Sequence, residues 1–261
     1  ISYQIALDLY DNQHQKFLNS VMQHLPPESE ESAEEEKKRL RNLKDILKGT
    51  IPNEVFLFFS INNDKSDPLI IKNIKNSLDQ KNSTTHSACI TANALMRCGT
   101  CNDKFLRDNI DWVGKATNWA KFSATASLGV IHKRNITKAL DLLAPYYSPT
   151  SGQVASAYAE GGAYYAMGFI HSNSNDHTTL EFLNNGLRNA ATQTNSEVIQ
   201  HGSCLGLGMV AMGSCDEAIY EELKAVLYAD SAVSGEAAAY AIGLVMLGSA
   251  NAAVIEELTK Y

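Results

Sequence analysis

Cys98-Gly-Thr-Cys101 is the first stretch whose residue types and spacing could do chemistry. C-x-x-C is the spacing of a dithiol redox pair or of half a zinc site. A structural zinc takes four ligands, and no second C-x-x-C or suitably spaced histidine pair is present. A redox pair would follow a strand and open a helix. This one follows a helical run and has Gly99 as its stop, which favours a plain structural turn. His132 and His171 each stand three residues after a glycine and could meet if those segments stack. Two imidazoles and a carboxylate could hold a metal, but caps on helix C-terminal carbonyls, with the imidazole partly charged in the helix field, are favoured. Glu160 and Glu236 lie where a carboxylate would complement a helix N-terminus. Trp112 and Trp119, seven apart, read as two packing residues on one helical face rather than a binding cage. No G-x-x-x-x-G-K-[ST], H-E-x-x-H or G-x-S-x-G occurs. The Gly-x-Gly pieces lie inside helical runs, not after strands, so they are not dinucleotide loops. The expectation is no catalytic residue, no cofactor and no metal site.

The elements that would position these residues repeat. Ser123-Ala-Thr-Ala-Ser-Leu-Gly129-Val-Ile, Gly162-Ala-Tyr-Tyr-Ala-Met-Gly168-Phe-Ile, Gly202-Ser-Cys-Leu-Gly-Leu-Gly208-Met-Val and Ala237-Ala-Ala-Tyr-Ala-Ile-Gly243-Leu-Val align without gaps. Their glycines are 39, 40 and 35 residues apart, a period that means a solenoid or array. A large apolar residue precedes each glycine and two apolar residues follow it. The positions two and six before it are always small, Gly162 and Gly202 among them. Glycine inside a helix costs roughly 1 kcal/mol against alanine, so a cost met four times needs an offset. Close approach of a neighbouring backbone supplies one. Each segment therefore predicts a buried inner helix flanked by its own copies.

Some 11–15 residues after each glycine comes an amphipathic pattern: Leu140 with Leu143, Leu180 with Leu183, Ile219 with Leu223, Ile255 with Leu258. It predicts an outer helix with one face on the inner layer and one in water. Gly213 and Gly248, five after their glycines, end the inner helices. The unit is helix–turn–helix. A fainter copy, Ser87-Ala-Cys-Ile-Thr-Ala-Asn-Ala94-Leu-Met, carries Ala94 in the glycine column, with Gly99 as its stop. The fold class is all-α: an open arc of repeats over 84–261, one degenerate and four clear, preceded by a rod-like helical segment over 1–83.

Within that segment the 3.6 periodicity predicts a helix over 1–24, stopped by Pro26-Pro27. The acidic stretch around 26–37 reads as a solvated loop or helix start. Helices follow at Leu40–Leu47, closed by Gly49, at 54–59, at about 68–79 and at about 84–97. The chain has 261 residues, 22 basic and 29 acidic, net charge −7, and is 44% hydrophobic. That balance opposes a nucleic-acid surface, and no apolar run approaches the roughly 20 residues of a membrane span. Five cysteines, an odd number, suit a reducing compartment. The start at Ile1 and the lack of a capping repeat after Tyr261 suggest a piece of a longer chain.

These residues resemble the proteasome/cyclosome repeat. The likeness extends through Ala116–His132, Tyr158-Ala-Glu-Gly-Gly, His201–Gly208, Gly235–Gly248 and, upstream, Phe105-Leu-Arg-Asp-Asn109. It is weaker over 1–83, where Tyr3-Gln4-Ile5 and Asp8-Leu9-Tyr10 match best. Together they resemble the repeat-bearing scaffold subunits of the proteasome regulatory particle. The resemblance implies a non-catalytic scaffold in cytoplasm and nucleus, with other regulatory-particle subunits as protein partners and neither nucleic acid nor membrane. Another repeat-bearing scaffold, such as the second proteasome repeat subunit or the cyclosome subunit, is an alternative. So is an α/α-toroid enzyme, possibly zinc-dependent, with its Asp, Cys and His at inner-helix ends. The shared columns here are glycine and small apolar residues instead.

Overall fold

In the computed structural model the described residues are 1–12, 14–27, 33–78, 83–147, 156–190 and 196–261, and among them every regular element is a helix. The N-terminal part holds α1 (Ser2–Asp11), α2 (Gln15–Gln23), α3 (Glu34–Leu47), α4 (Thr50–Asn62) and α5 (Pro68–Ser77). The helix expected over 1–24 is thus two. His14 sits in extended backbone and its Nδ1 accepts the Phe17 N–H, an N-cap that restarts the helix. The predicted helix at 54–59 is the middle of the longer α4. Of the acidic stretch, 28–32 lies outside the described residues. Glu34, Glu35 and Glu36 form the first turn of α3, where negative charge suits the helix N-terminus.

Ala6, Tyr10, Leu18, Ile46 and Leu47 form a small core of side chains joining α1, α2 and α3. Gly49 turns the corner into α4 at φ +86°, with the Tyr10 ring packed over it, and no larger residue fits both conditions. α4 leaves Val55, Phe58 and Phe59 exposed.

The remaining chain builds the arc. Its inner layer is α6 (Ser83–Met96), α9 (Trp119–Ile131), α11 (Ala157–Ile170), α13 (Ser196–Val210) and α15 (Ala232–Val245), each packed on the next. Between α6 and α9 lie two short helices, α7 (Lys104–Arg107) and α8 (Ile110–Val113). The outer helices are α10 (Ala139–Tyr147), α12 (His177–Ala190), α14 (Glu217–Leu227) and α16 (Ala252–Lys260). Of these, α10, α12 and α14 pack chiefly on α11, α13 and α15 respectively, the inner helix of the following repeat. Each such outer helix therefore ties two repeats together, and one core runs unbroken from Ala139 to Val254. Leu143, Leu183, Ile219 and Leu223 face that core, but Leu140 and Ile255 point to solvent and their neighbours Ala139 and Val254 are buried instead. A one-residue error in reading a helix rotates the assigned face by about 100°.

A candidate interaction site: the inner-helix seam and the turn edge

Across the seam, backbones touch. A Cβ on Gly168 would lie 2.6 Å from Gly206 Cα, and one on Gly208 would lie 2.7 Å from Ala241 Cα. Gly129 meets the backbone of Ala166 in the same way. In each pair the column glycine faces the small residue two before the glycine of the next repeat. The column six earlier faces backward: Gly162 lies against the Phe122 carbonyl and Thr125, and Gly202 against the backbone of Gly161. Real Cβ atoms do not approach other atoms this closely, so glycine is the only residue these crossings admit. Gly243 differs: nothing lies within 4 Å of its would-be Cβ.

At the C-terminal end of the inner layer the repeats are sewn by backbone hydrogen bonds. The last carbonyls of a helix have no partner within it. Here the turn of the preceding repeat supplies one. The N–H groups of Gly99 and Cys101 donate to Val130 and Ile131, those of Asn173 and Asn175 to Met209 and Val210, and those of Gly213 and Cys215 to Leu244 and Val245. The Arg134 N–H, also at a left-handed position that begins its turn, donates to Ile170. To aim both groups sideways the turn uses left-handed backbone twice, at Gly99 and Cys101, Asn173 and Asn175, Gly213 and Cys215, and Gly248 and Ala250. The residue between is Thr100, Ser174, Ser214 or Ser249, and its hydroxyl accepts the N–H two residues on. The residue giving that N–H is Asn102, Asp176, Asp216 or Asn251, polar in each case, and Asp176, Asp216 and Asn251 cap the outer helices there.

The N-terminal helices lie along this turn edge. Ser60 is beside Gly99, the Phe56 ring holds the Arg134 guanidinium at 4.5 Å, and the Gln15 amide donates to the Asn173 carbonyl. The Lys16 N–H donates to the Gly213 carbonyl, and His14 Nε2 lies near Gly248. All five left-handed positions that begin the turns thus meet a residue of α4 or of the start of α2.

The residues singled out for chemistry take places in this architecture. Cys98 and Cys101 are free thiols, and Cys101 occupies the same turn position as Cys215, Asn175 and Ala250. Burial raises the Cys101 pKa, away from a reactive thiolate. His132 and His171 are the C-cap residues of α9 and α11, but among the described residues their rings bond side chains rather than carbonyls. His132 Nε2 lies 3.3 Å from the Asp103 carboxylate and its Nδ1 3.3 Å from the Asn135 amide, while His171 Nδ1 lies 3.1 Å from Thr179 Oγ1. Burial lowers both pKa values, so these imidazoles are held neutral rather than partly charged. No group of three or more His, Cys, Asp or Glu that could hold a metal occurs among the described residues. Glu160 is in the first turn of α11, with its pKa raised by burial. Glu236 falls past the first turn of α15 and is exposed. Trp112 and Trp119 belong to different helices, not one face. Trp112 packs against His86 and Phe105, with Lys75 over its ring, and Trp119 packs against Phe122, Tyr158 and His201.

A profile of the proteasome/cyclosome repeat matches residues 202–236, from α13 through α14 into α15. The 26S proteasome non-ATPase regulatory subunit 1 homolog A of Arabidopsis thaliana is 43% identical over 91% of this chain and 27% of its own length. The 26S proteasome regulatory subunit rpn2 of Schizosaccharomyces pombe is 42% identical over 91% of this chain and 25% of its own. The corresponding Saccharomyces cerevisiae subunit RPN2 is 39% identical over 92% and 24%. Over nine-tenths of its length the chain is similar to part of these regulatory subunits. It spans about a quarter of the length of these curated relatives. The profile covers one repeat, and the seam and turn contacts give the other aligned segments the same geometry.

At the level of sequence only the helix stops of this turn edge, Gly99, Gly213 and Gly248, were read, although the whole turn has a signal. Gly99-Thr-Cys-Asn102, Asn173-Ser-Asn-Asp176, Gly213-Ser-Cys-Asp216 and Gly248-Ser-Ala-Asn251 form a second aligned motif, five to eight residues after the glycine column.

Proposed function

We propose that the chain is a non-catalytic scaffold segment of a 26S proteasome regulatory particle, organising protein–protein contacts for ubiquitin-dependent degradation in cytoplasm and nucleus. The observation that carries this is the seam. Successive inner helices meet through small residues at backbone contact, and each turn but the last binds the following repeat, an investment in shape rather than in a reactive centre. The names of the relatives, all regulatory subunits, support the same reading. We take 84–261 as the repeat unit, and Gly129, Gly162, Gly168, Gly202, Gly208 and Gly243 as positions that define it. Its partners are other regulatory-particle subunits. No helix among the described residues is long and apolar enough to cross a membrane.

The test is capture from cell lysate with this chain as bait, read by mass spectrometry, beside a Gly168→Leu bait whose seam is broken. Recovery of regulatory-particle subunits by the intact bait alone is expected. Equal recovery by both baits, or by neither, overturns the assignment of scaffold contacts to this folded segment.

A further inference from the structure

Three clefts of 610, 640 and 700 Å³ open on the molecule. Two are balanced in charge. The one beside α9 sets Arg107 and Lys121 against Asp103 and Asp141. The one under the turn edge sets Lys48 and Arg134 against Glu54 and Asp176. The third, between α5 and α7, is not balanced. Lys72, Lys75, Lys104 and Arg97 line it against only Asp64 and Asp108. Asp64 is already satisfied, because both its oxygens are 2.6 Å from Arg97 Nη1 and Oδ2 also accepts from Asn102 at 2.8 Å. Among the described residues, a chain of net charge −7 thus carries a cleft in which three lysines face a single carboxylate that is in no ion pair, Asp108.

The cleft has a rigid base. Arg97 is buried and its partner Asp64 is partly so, and Ser66 Oγ donates to the Met96 carbonyl, so the α4–α5 connection is pinned to the end of α6. Lys75 is held by Asn109 Oδ1 and lies over the Trp112 ring. Lys72 and Lys104, one on each wall, are exposed, and neither is in an ion pair among the described residues. Between them lie exposed Leu69 and half-buried Phe105. Lysine is a point charge on a flexible stem, unlike the planar fork of arginine that grips one phosphate or carboxylate bidentately. Lysines on two facing helices, separated by apolar surface, suit a series of carboxylates along a chain better than one compact anion.

The geometry points to this cleft as the docking site for an acidic peptide segment of a partner protein, its carboxylates on Lys72 and Lys104 and an apolar side chain on Leu69 and Phe105. This deepens the scaffold reading by naming a partner chemistry. The assay needs no other subunit, so its failure leaves the capture experiment standing, and failure of capture leaves the cleft standing.

The probe is a fluorescein-labelled peptide of alternating Glu and Leu, with a twin in which Gln replaces Glu, titrated with the full chain and followed by anisotropy. Binding of the Glu peptide is expected, weakened by salt at roughly 0.3 M. Lys72→Glu with Lys104→Glu should weaken it about tenfold or more, whereas Lys121→Glu in the balanced cleft should leave it within about twofold. Circular dichroism checks the fold, and Lys72→Gln with Lys104→Gln serves if the charge reversal does not fold. Carbodiimide should join the peptide carboxylates to Lys72 and Lys104. Equal binding of the Gln twin, equal loss with Lys121→Glu, or cross-links spread over lysines elsewhere overturns the proposal. So does sedimentation showing that the chain alone self-associates through these two lysines, because a second copy would then be the occupant.

Discussion

Between α11 and α13 two backbones touch through Gly168 and Gly206, whereas between α1 and α3 the contact is made by the side chains of Tyr10, Ile46 and Leu47. The two regions bury apolar surface by different routes. In the arc, small residues bring helix axes close and the gain is dense contact over a long seam, with the helix ends closed by the preceding repeat's backbone. In the N-terminal helices, large residues interdigitate and a substantial apolar face, Val55, Phe58 and Phe59, is left open. The first construction tolerates almost no added volume at its contact points. The second can adjust by turning side chains. Substitutions should therefore act on the two regions with different severity.

The largest effect is expected at the seam. Gly168→Leu places a branched side chain where even a Cβ meets Gly206 Cα at 2.6 Å. Backbone cannot rotate away as a side chain can, so α11 and α13 must separate and their shared core must open. A loss of upwards of about 3 kcal/mol is expected, read as a collapsed thermal transition or an insoluble chain. The matched substitution in the N-terminal core, Ile46→Leu, conserves volume and should cost less than about 1.5 kcal/mol. If both variants melt alike, the distinction between the regions is wrong.

The glycine column was legible because its chemistry is intrinsic: glycines in register inside helices have a cost, and at Gly129, Gly168 and Gly208 close packing is what offsets it. The pairing of outer helices with the following repeat was not legible, because amphipathicity shows that a face is buried and not what buries it. Nor was the break at His14 visible, since the apolar period of α1 runs on into α2 with nearly the same phase. The turn motif is present in the sequence, but its glycines alone read only as helix stops, and the spacing of Cys98 and Cys101 mimics a thiol pair. Only alignment with Gly213-Ser-Cys215 and Gly248-Ser-Ala250 shows that the positions of Gly99 and Cys101 are set by backbone geometry. His132 and His171 were placed correctly at helix ends and given the wrong partners, because side-chain hydrogen bonds to Asp103 and Thr179 cross between elements far apart in the chain or beyond a turn.

Those two histidines give a pH test of intermediate size that also separates the regions. Both are buried, and their folded pKa values lie below the ordinary histidine value of about 6.5. Asp103 works against the shift at His132 while Arg107 and Lys138 add to it, and Asp176 works against it at His171. A group whose folded pKa is depressed binds its proton more readily in the unfolded chain, so stability falls as pH drops below about 6.5 and is flat above it. Acidification from neutral pH to about 5.5 should lower the arc's melting temperature by a few degrees, about what 1 kcal/mol does in a chain of this length. Hydrogen exchange should speed up first in the turns after α9 and α11, before α1–α3 respond. His132→Asn with His171→Gln should flatten the dependence, and an unchanged slope would assign it to carboxylates elsewhere.

The smallest effect, and the sharpest, is Gly243→Ala. Gly243 shares the column of Gly129, Gly168 and Gly208, so sequence register alone predicts the same intolerance. The structure predicts the opposite sign. Its would-be Cβ has no atom within 4 Å, and the position is exposed on α15. With no clash, what remains is helix propensity and the lower entropy of the unfolded chain, and alanine should raise stability by about 0.5–1 kcal/mol. Gly208→Ala, which meets Ala241 Cα at 2.7 Å, should lower it. The pair differs only in whether a neighbouring inner helix covers the glycine. Opposite shifts in midpoint on chemical denaturation would show that the column is conditional on packing. If Gly243→Ala is as damaging as Gly208→Ala, the glycines answer to something within each helix, and the seam is not their reason.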